Sequence, residues 1–164
     1  HSNVLTIIAP RHIDRAEEIM VKIKKLNLQG QIISDNECVK NETDIAVINS
    51  FGSLNKYYDY CKSIFMGKSL NKRLILEGGQ NPIEAARFGC KIYHGPYVYN
   101  FLEVYDFLKS NNISEKISKV EELSSKIIYD IENQLENKDL KIKKIEEFGK
   151  NIFNNTIKKL EELI

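Results

Sequence analysis

Apolar residues fall along this chain in short runs separated by polar turns. Val4–Ala9, VLTIIA, is mostly β-branched and closed by Pro10, the pattern of a buried strand. Asp14 then opens a stretch in which Ile19, Ile23 and Leu26 recur at helical spacing, with Gly30 as its expected stop. Gln31–Ser34 and, more strongly, Asp44–Ile48 predict two further strands. The loop NSFGS follows, then helical character over Leu54–Tyr60 and a short strand over Ser63–Met66. A loop rich in Gly, Lys and Asn leads into EGGQNPIEAARFG, where Pro82–Phe88 reads as a helix stopped by Gly89. Lys91–Tyr93 reads as a strand, closed by HGP, and Phe101–Leu108 as a helix.

Strands alternating with helices predict an α/β fold, a Rossmann-like open parallel sheet flanked by helices. From Val120 onward strand signals fade. Val120, Leu123, Ile127, Ile131 and Leu135 repeat at helical spacing, and Ile145, Phe148, Ile152, Leu160 and Ile164 resume it after the polar break Asn137-Lys138-Asp139. Two or three amphipathic helices are expected there, packed on the sheet or on a partner domain.

Composition narrows the classes. The 164 residues suit one ordinary domain, and 42% hydrophobic residues are normal for a globular core. A net charge of +1 gives no field that would favour nucleic acid. Cys38, Cys61 and Cys90 are odd in number and lack a Cys-x-x-Cys spacing, so neither a disulfide framework nor a zinc site is expected. His12 and His94 form no metal spacing, and no metal or cofactor is expected. No apolar run approaches the roughly 18 residues of a membrane span. His1-Ser2 reads as a tag remnant, and Asn3 leads straight into a strand, so residues 3–164 are expected to be a domain excised from a longer protein.

Three loops carry the candidate chemistry, and in open parallel sheets ligands sit beyond the carboxyl ends of the strands. In APRH, Arg11 follows Pro10 onto that rim, where its guanidinium can grip a phosphate or pair with an acid. In NSFGS, Gly52 allows a tight turn whose N–H groups can face a phosphate or a base, or the loop merely starts a helix with Ser53 as N-cap. In EGGQNPIE, Asn81, Pro82 and Glu84 have the spacing of a capping box. The same box is spelled by Asp14 with Glu17, Asn100 with Glu103 and Ser118 with Glu121. The Gly78-Gly79 pair goes beyond a cap, since glycines let a ligand approach the backbone. Neither GxGxxG nor GxxxxGK[ST] is present, and no Ser-His-Asp arrangement or close acid pair is legible. The equipment is for binding an anion rather than for activating a nucleophile.

Taken in order, APRH, NSFGSL, FMGKSL, EGGQNPIEAARFG and HGPYVYNF resemble the C-terminal half of the bacterial 3-deoxy-D-manno-octulosonic acid (Kdo) transferases, whose pattern runs APRHxxR, DTMGEL, FVGGSL, GGHNPLEPAxxG and GPHxxNF. The resemblance covers about residues 4 to 110. It implies the C-terminal half of a GT-B glycosyltransferase, binding the donor CMP-Kdo. It also implies a separate N-terminal domain, absent here, that takes the lipid A precursor (lipid IVA) and carries the catalytic glutamate. The implied reaction inverts the anomeric centre at the cytoplasmic face of the inner membrane, and the isolated half is expected to be inactive.

Carried over by motif, Pro10 and Arg11 would contact CMP. So would Phe51, Gly52 and Ser53, which stand where the family has Met-Gly-Glu, and Asn81, Pro82, Ile83 and Glu84. The chain departs from the pattern at Ser53 for Glu, Gln80 for His and Lys68 for the second Gly of FVGGS. About four extra residues near Leu74–Glu77 lengthen the loop before Gly78. Two other readings stand beside this one: a GT-B transferase or epimerase using UDP or GDP, and a non-catalytic Rossmann-like interaction module.

Overall fold

The structure, a computed structural model, describes residues 4–133 and 138–163. The tag reading of His1-Ser2 and the helical positions Leu135 and Ile164 lie outside the described residues. The chain divides into two compact units, one up to Tyr57 and one from Tyr58 onward.

In the first unit, β1 (Thr6–Ile8), β2 (Gly30–Ile33) and β3 (Ile45–Ile48) form a parallel sheet of order β1-β3-β2. The run legible as DIAVI is its central strand. Ile45 pairs with Thr6 on one side and Gly30 on the other, and Ala46, Val47 and Ile48 are buried. Helix α1 (Ala16–Lys25), entered through a 3-10 turn at Ile13–Arg15, covers the sheet. Its Ala16 and Ile23 pack on Val47, flanked by Ile19, Met20, Ile32 and Ile45.

Gly30 does not stop α1, contrary to the sequence expectation. Asn27 does, at φ 55°. Its N–H donates to the Lys24 carbonyl (3.0 Å) and that of Leu28 to Ile23 (3.4 Å), a doubly bonded C-terminal cap. Asn tolerates this left-handed geometry because its short polar side chain bonds locally. Gly30 instead opens β2 under Met20, whose Cε would lie 2.8 Å from a Cβ placed there.

In the second unit, β4 (Ser63–Phe65), β5 (Lys91–His94) and β6 (Ser114–Lys116) form another parallel sheet, order β4-β5-β6. The strands thus hydrogen-bond as two three-stranded parallel sheets. Around the second lie α3 (Ile83–Arg87), α4 (Leu102–Ser110), α5 (Val120–Glu132) and α6 (Lys138–Glu161). Its core joins Ala85 and Ala86 of α3, Ile92 of β5, Tyr105 and Leu108 of α4, and Ile145 of α6. Phe107 stacks on Phe148 at 3.9 Å. Beyond that stack α6 and the residues after it are exposed, Phe153 by 65% and Leu163 by 82%. Asp130 of α5 is buried and accepts hydrogen bonds from Ser63 Oγ (2.5 Å) and the Tyr93 hydroxyl (2.8 Å), tying that helix to β4 and β5.

Strand β6 has no strand signal in its own residues, Ser-Glu-Lys. It is an edge strand held by β5 and by the fully buried Ile113 and Ile117 that flank it. Among the described residues, no helix is long and apolar enough to cross a membrane.

Candidate functional site

Each unit carries part of the candidate set. In the first, β1 and β3 run parallel and adjacent, so the segments leaving their carboxyl ends share one rim: Ala9-Pro10-Arg11 after β1 and Asn49–Ser53 after β3. Arg11 is exposed and, among the described residues, makes no hydrogen bond or ion pair. Among the described residues the alternative of a paired surface arginine finds no partner acid. Phe51 stands 75% exposed at the tip of its loop. Gly52 takes φ 73° with open space around it, so the turn needs glycine for its dihedral and not for room. Ser53 is buried, and its hydroxyl shares a 2.6 Å hydrogen bond with Ser50 Oγ. It does not cap α2 (Asn55–Tyr58) with its side chain; its carbonyl accepts from Lys56 N–H (3.1 Å). Where the resembled pattern has a carboxylate, this chain has a buried hydroxyl.

The second unit holds Asn81, Pro82, Ile83 and Glu84. Asn81 Oδ1 accepts from the Ile83 N–H at 3.0 Å, an Asx turn leading into α3, whose cap is Pro82, and not the bond to the Glu84 N–H that a capping box makes. Pro82 is fully buried and Ile83 half-buried. The return half is missing as well. Glu84 is exposed and its carboxylate bonds to nothing among the described residues. It lies close enough to Tyr58 to help push that phenol up, an effect second to burial.

The other three boxes also fail to close. Arg15, whose side chain makes no capping bond, sits at the cap of α1, and Lys119 at that of α5. Glu122, not Glu121, reaches the Ser118 N–H (2.8 Å). Asn100 points away from its own helix altogether.

That last departure explains the glycine pair. Asn100 donates from Nδ2 to the Glu77 carbonyl (3.1 Å) and from its backbone N–H to the Gly78 carbonyl (3.3 Å). Gly78 has φ 63°, and a Cβ there would run into the Asn100 amide. Gly79 has φ 84°, and a Cβ would come 3.0 Å from the Tyr97 carbonyl oxygen. The glycines thus admit the HGPYVYNF segment against the turn, and ligand access is not needed to account for them.

The remaining motifs lock the same region. Ser69, fully buried, donates to the Met66 carbonyl (2.5 Å) and accepts from Gly95 N–H (2.8 Å), while its carbonyl accepts from Tyr97 (2.9 Å). The Tyr105 hydroxyl donates to the Gln80 carbonyl (3.0 Å), and its ring lies 4.2 Å from the His94 ring. Burial holds the His94 imidazole below its usual range and pushes the Tyr105 phenol up. Ser69, Asn100 and Tyr105 lay inside or beside the sequence motifs, but only their contacts reveal them as supports.

Two of the departures are one feature. Lys68 takes φ 67°, the left-handed conformation its pattern counterpart, a glycine, adopts freely. Its ammonium pairs with the Glu77 carboxylate, which lies in the extra residues before Gly78. The positive charge that Lys68 adds is therefore matched by an acid of the longer loop. Among the described residues, no cluster of His, Cys, Asp or Glu could hold a metal ion.

Known proteins share this architecture. No family model matches the chain. The 3-deoxy-D-manno-octulosonic acid transferase of Rickettsia felis is 27% identical over 158 residues, 96% of this chain and 32% of that protein. A bifunctional glycosyltransferase/methyltransferase of Fusobacterium nucleatum is 31% identical over 99% of this chain and 24% of its own length. The chain thus spans a third or less of these curated relatives. The crystal structure of the C-terminal CMP-Kdo binding domain of WaaA from Acinetobacter baumannii matches with TM-score 0.76 and 21% identity, over 89% of this chain and 74% of that one. Over most of its length the chain is homologous to the 3-deoxy-D-manno-octulosonic acid transferases, and its fold is that of the C-terminal domain of such an enzyme.

Proposed function

We propose that this chain is the donor-binding domain of a Kdo transferase, holding CMP-Kdo while a separate N-terminal domain presents a lipid A precursor and the catalytic glutamate. In this reading the whole enzyme works at the cytoplasmic face of the inner membrane, inverts the anomeric centre, and the chain alone transfers nothing. One observation carries it. In a chain homologous to these enzymes, two of the resembled motifs each hold a charged side chain, Arg11 in one and Glu84 in the other, that is exposed and without a partner among the described residues.

Chemistry assigns them roles. Arg11 supplies a planar fork for the phosphate of CMP. Glu84 supplies acceptors for ribose hydroxyls. Phe51 and Gly52 offer an apolar face and backbone N–H groups to the base, with Pro10 and Ser53 shaping the loops behind them. Asn81, Pro82 and Ile83 fix the start of α3, from which Glu84 projects.

Titration of CMP by calorimetry tests this, with Arg11→Ala and Glu84→Ala each expected to weaken binding at least about tenfold, the loss of a charge-assisted contact. Wild-type binding with both variants unchanged would refute the residue assignment. The likeness to the Fusobacterium glycosyltransferase/methyltransferase favours a second reading, a GT-B enzyme with another sugar nucleotide. A panel of CMP, UDP and GDP separates the two: tight UDP or GDP binding with none of CMP selects the second.

A further inference from the structure

We propose that the turn Lys72–Leu76 is a lipid contact that lies on the surface of an anionic phospholipid bilayer. The turn is a 3-10 segment in the longer loop before Gly78. Leu76 is 89% exposed and Ile75 41%. Lys72 and Arg73, beside them, are exposed and their side chains pair with nothing among the described residues.

The display is held firmly. Asn71 Oδ1 accepts from Arg73 N–H (3.0 Å), the Asn71 carbonyl from Leu74 N–H (2.9 Å) and the Ile75 carbonyl from Gly78 N–H (3.2 Å). Asn100 grips the far end through Glu77 and Gly78. That grip brings the segment holding Asn100, with the exposed Tyr99 and Leu102, to the end of the turn at Glu77 and Gly78. The acids at this end are Glu77, which pairs with Lys68, and Glu103 in the first turn of α4.

Three aliphatics and a tyrosine beside two uncommitted cations complement a bilayer surface. The apolar groups enter the headgroup boundary and the cations meet anionic headgroups. So small a contact binds weakly and is screened by salt, so it orients a protein rather than anchoring it. The proposal is independent of the nucleotide reading.

The chain has no tryptophan, so Leu76→Trp reports from this one position. On vesicles of phosphatidylglycerol and phosphatidylcholine its emission should shift to the blue and be quenched by brominated acyl chains, and 0.5 M salt should reverse both. In co-sedimentation with the same vesicles, Leu76→Asp and the double variant Lys72→Glu/Arg73→Glu should each lower partitioning about tenfold. Their urea midpoints should match wild type, because all three side chains are exposed. An unshifted emission, equal binding to pure phosphatidylcholine, or full binding by Leu76→Asp overturns the proposal. So does loss of binding through Phe153→Asp in α6 with Leu76→Asp unaffected, or a dimer that Leu76→Asp dissolves while vesicles are not bound. CMP titration of Leu76→Asp keeps the two proposals apart, since it should be unchanged even when vesicle binding is lost.

Discussion

Replacing Gly78 by alanine tests how the glycine turn is held. The backbone there has φ 63°, and an L side chain in that region costs about 1–2 kcal/mol. The new methyl also displaces the Asn100 amide. Because that amide is the end of a side chain, it can swing aside, forfeiting its bond to the Glu77 carbonyl at a cost of about 1 kcal/mol. Gly78→Ala should therefore cost roughly 2–3 kcal/mol. Asn100→Ala alone should cost about 1 kcal/mol, the same bond. The double variant should be no worse than Gly78→Ala, because the bond is lost only once, giving a coupling near 1 kcal/mol. Urea melts of the four proteins, followed by circular dichroism, measure the cycle. Strict additivity, or a neutral Gly78→Ala, would refute this account of the turn.

Three further outcomes follow from other sites. At Lys68 (φ 67°) glycine should be more stable than alanine by about 1 kcal/mol, reversing the usual order, because both lose the ion pair and only alanine keeps the strain; urea midpoints of the two variants decide it. Burial lowers the His94 pKa from 6.5, so below that pH the unfolded chain binds a proton the folded chain resists. Stability should be full above pH 6.5 and fall as pH drops through that value toward the folded pKa, and His94→Gln should flatten the slope of urea midpoint against pH between 5 and 7.5. Burial, with Cys61 next in effect, pushes the Cys90 thiol up to about 12, so at pH 8 a thiol reagent should modify the exposed Cys38 at once and Cys90 only on unfolding.

The α/β order was legible because its strongest strands are β-branched and buried on both faces. Ile45–Ile48 appears in the sequence as an apolar run because the sheet buries it, and Lys91–His94 shows the same burial only at Ile92 and Tyr93. Strand β6 was not, since its residues are polar and its place is set by β5. Gly30 looked like a helix stop because glycine often is one. Asn27 did that work through dihedral and bonding that a one-dimensional pattern does not display.

The capping boxes show the same limit. Spacing licensed four, yet none closes: Asn81 bonds the N–H two residues on, and the Ser118 N–H is reached by Glu122 from one position past the expected Glu121. The motifs mark where candidate groups gather, but not which of them the fold leaves free. That division required knowing which groups were already satisfied.

The stitching of the second unit's loops has a kinetic consequence. Ser69 is joined to Gly95 and Tyr97, and Glu77 and Gly78 to Asn100, across more than twenty residues of chain in each case. No local segment can order the turn before Asn81 by itself. It must wait until β5 and the start of α4 are in place, so it belongs among the late events of folding. A molecule that grips Asn81–Glu84 would then act as a brake on unfolding of all these segments together, and slowed amide exchange at Ser69, Gly95 and Asn100 would record its arrival at a distance.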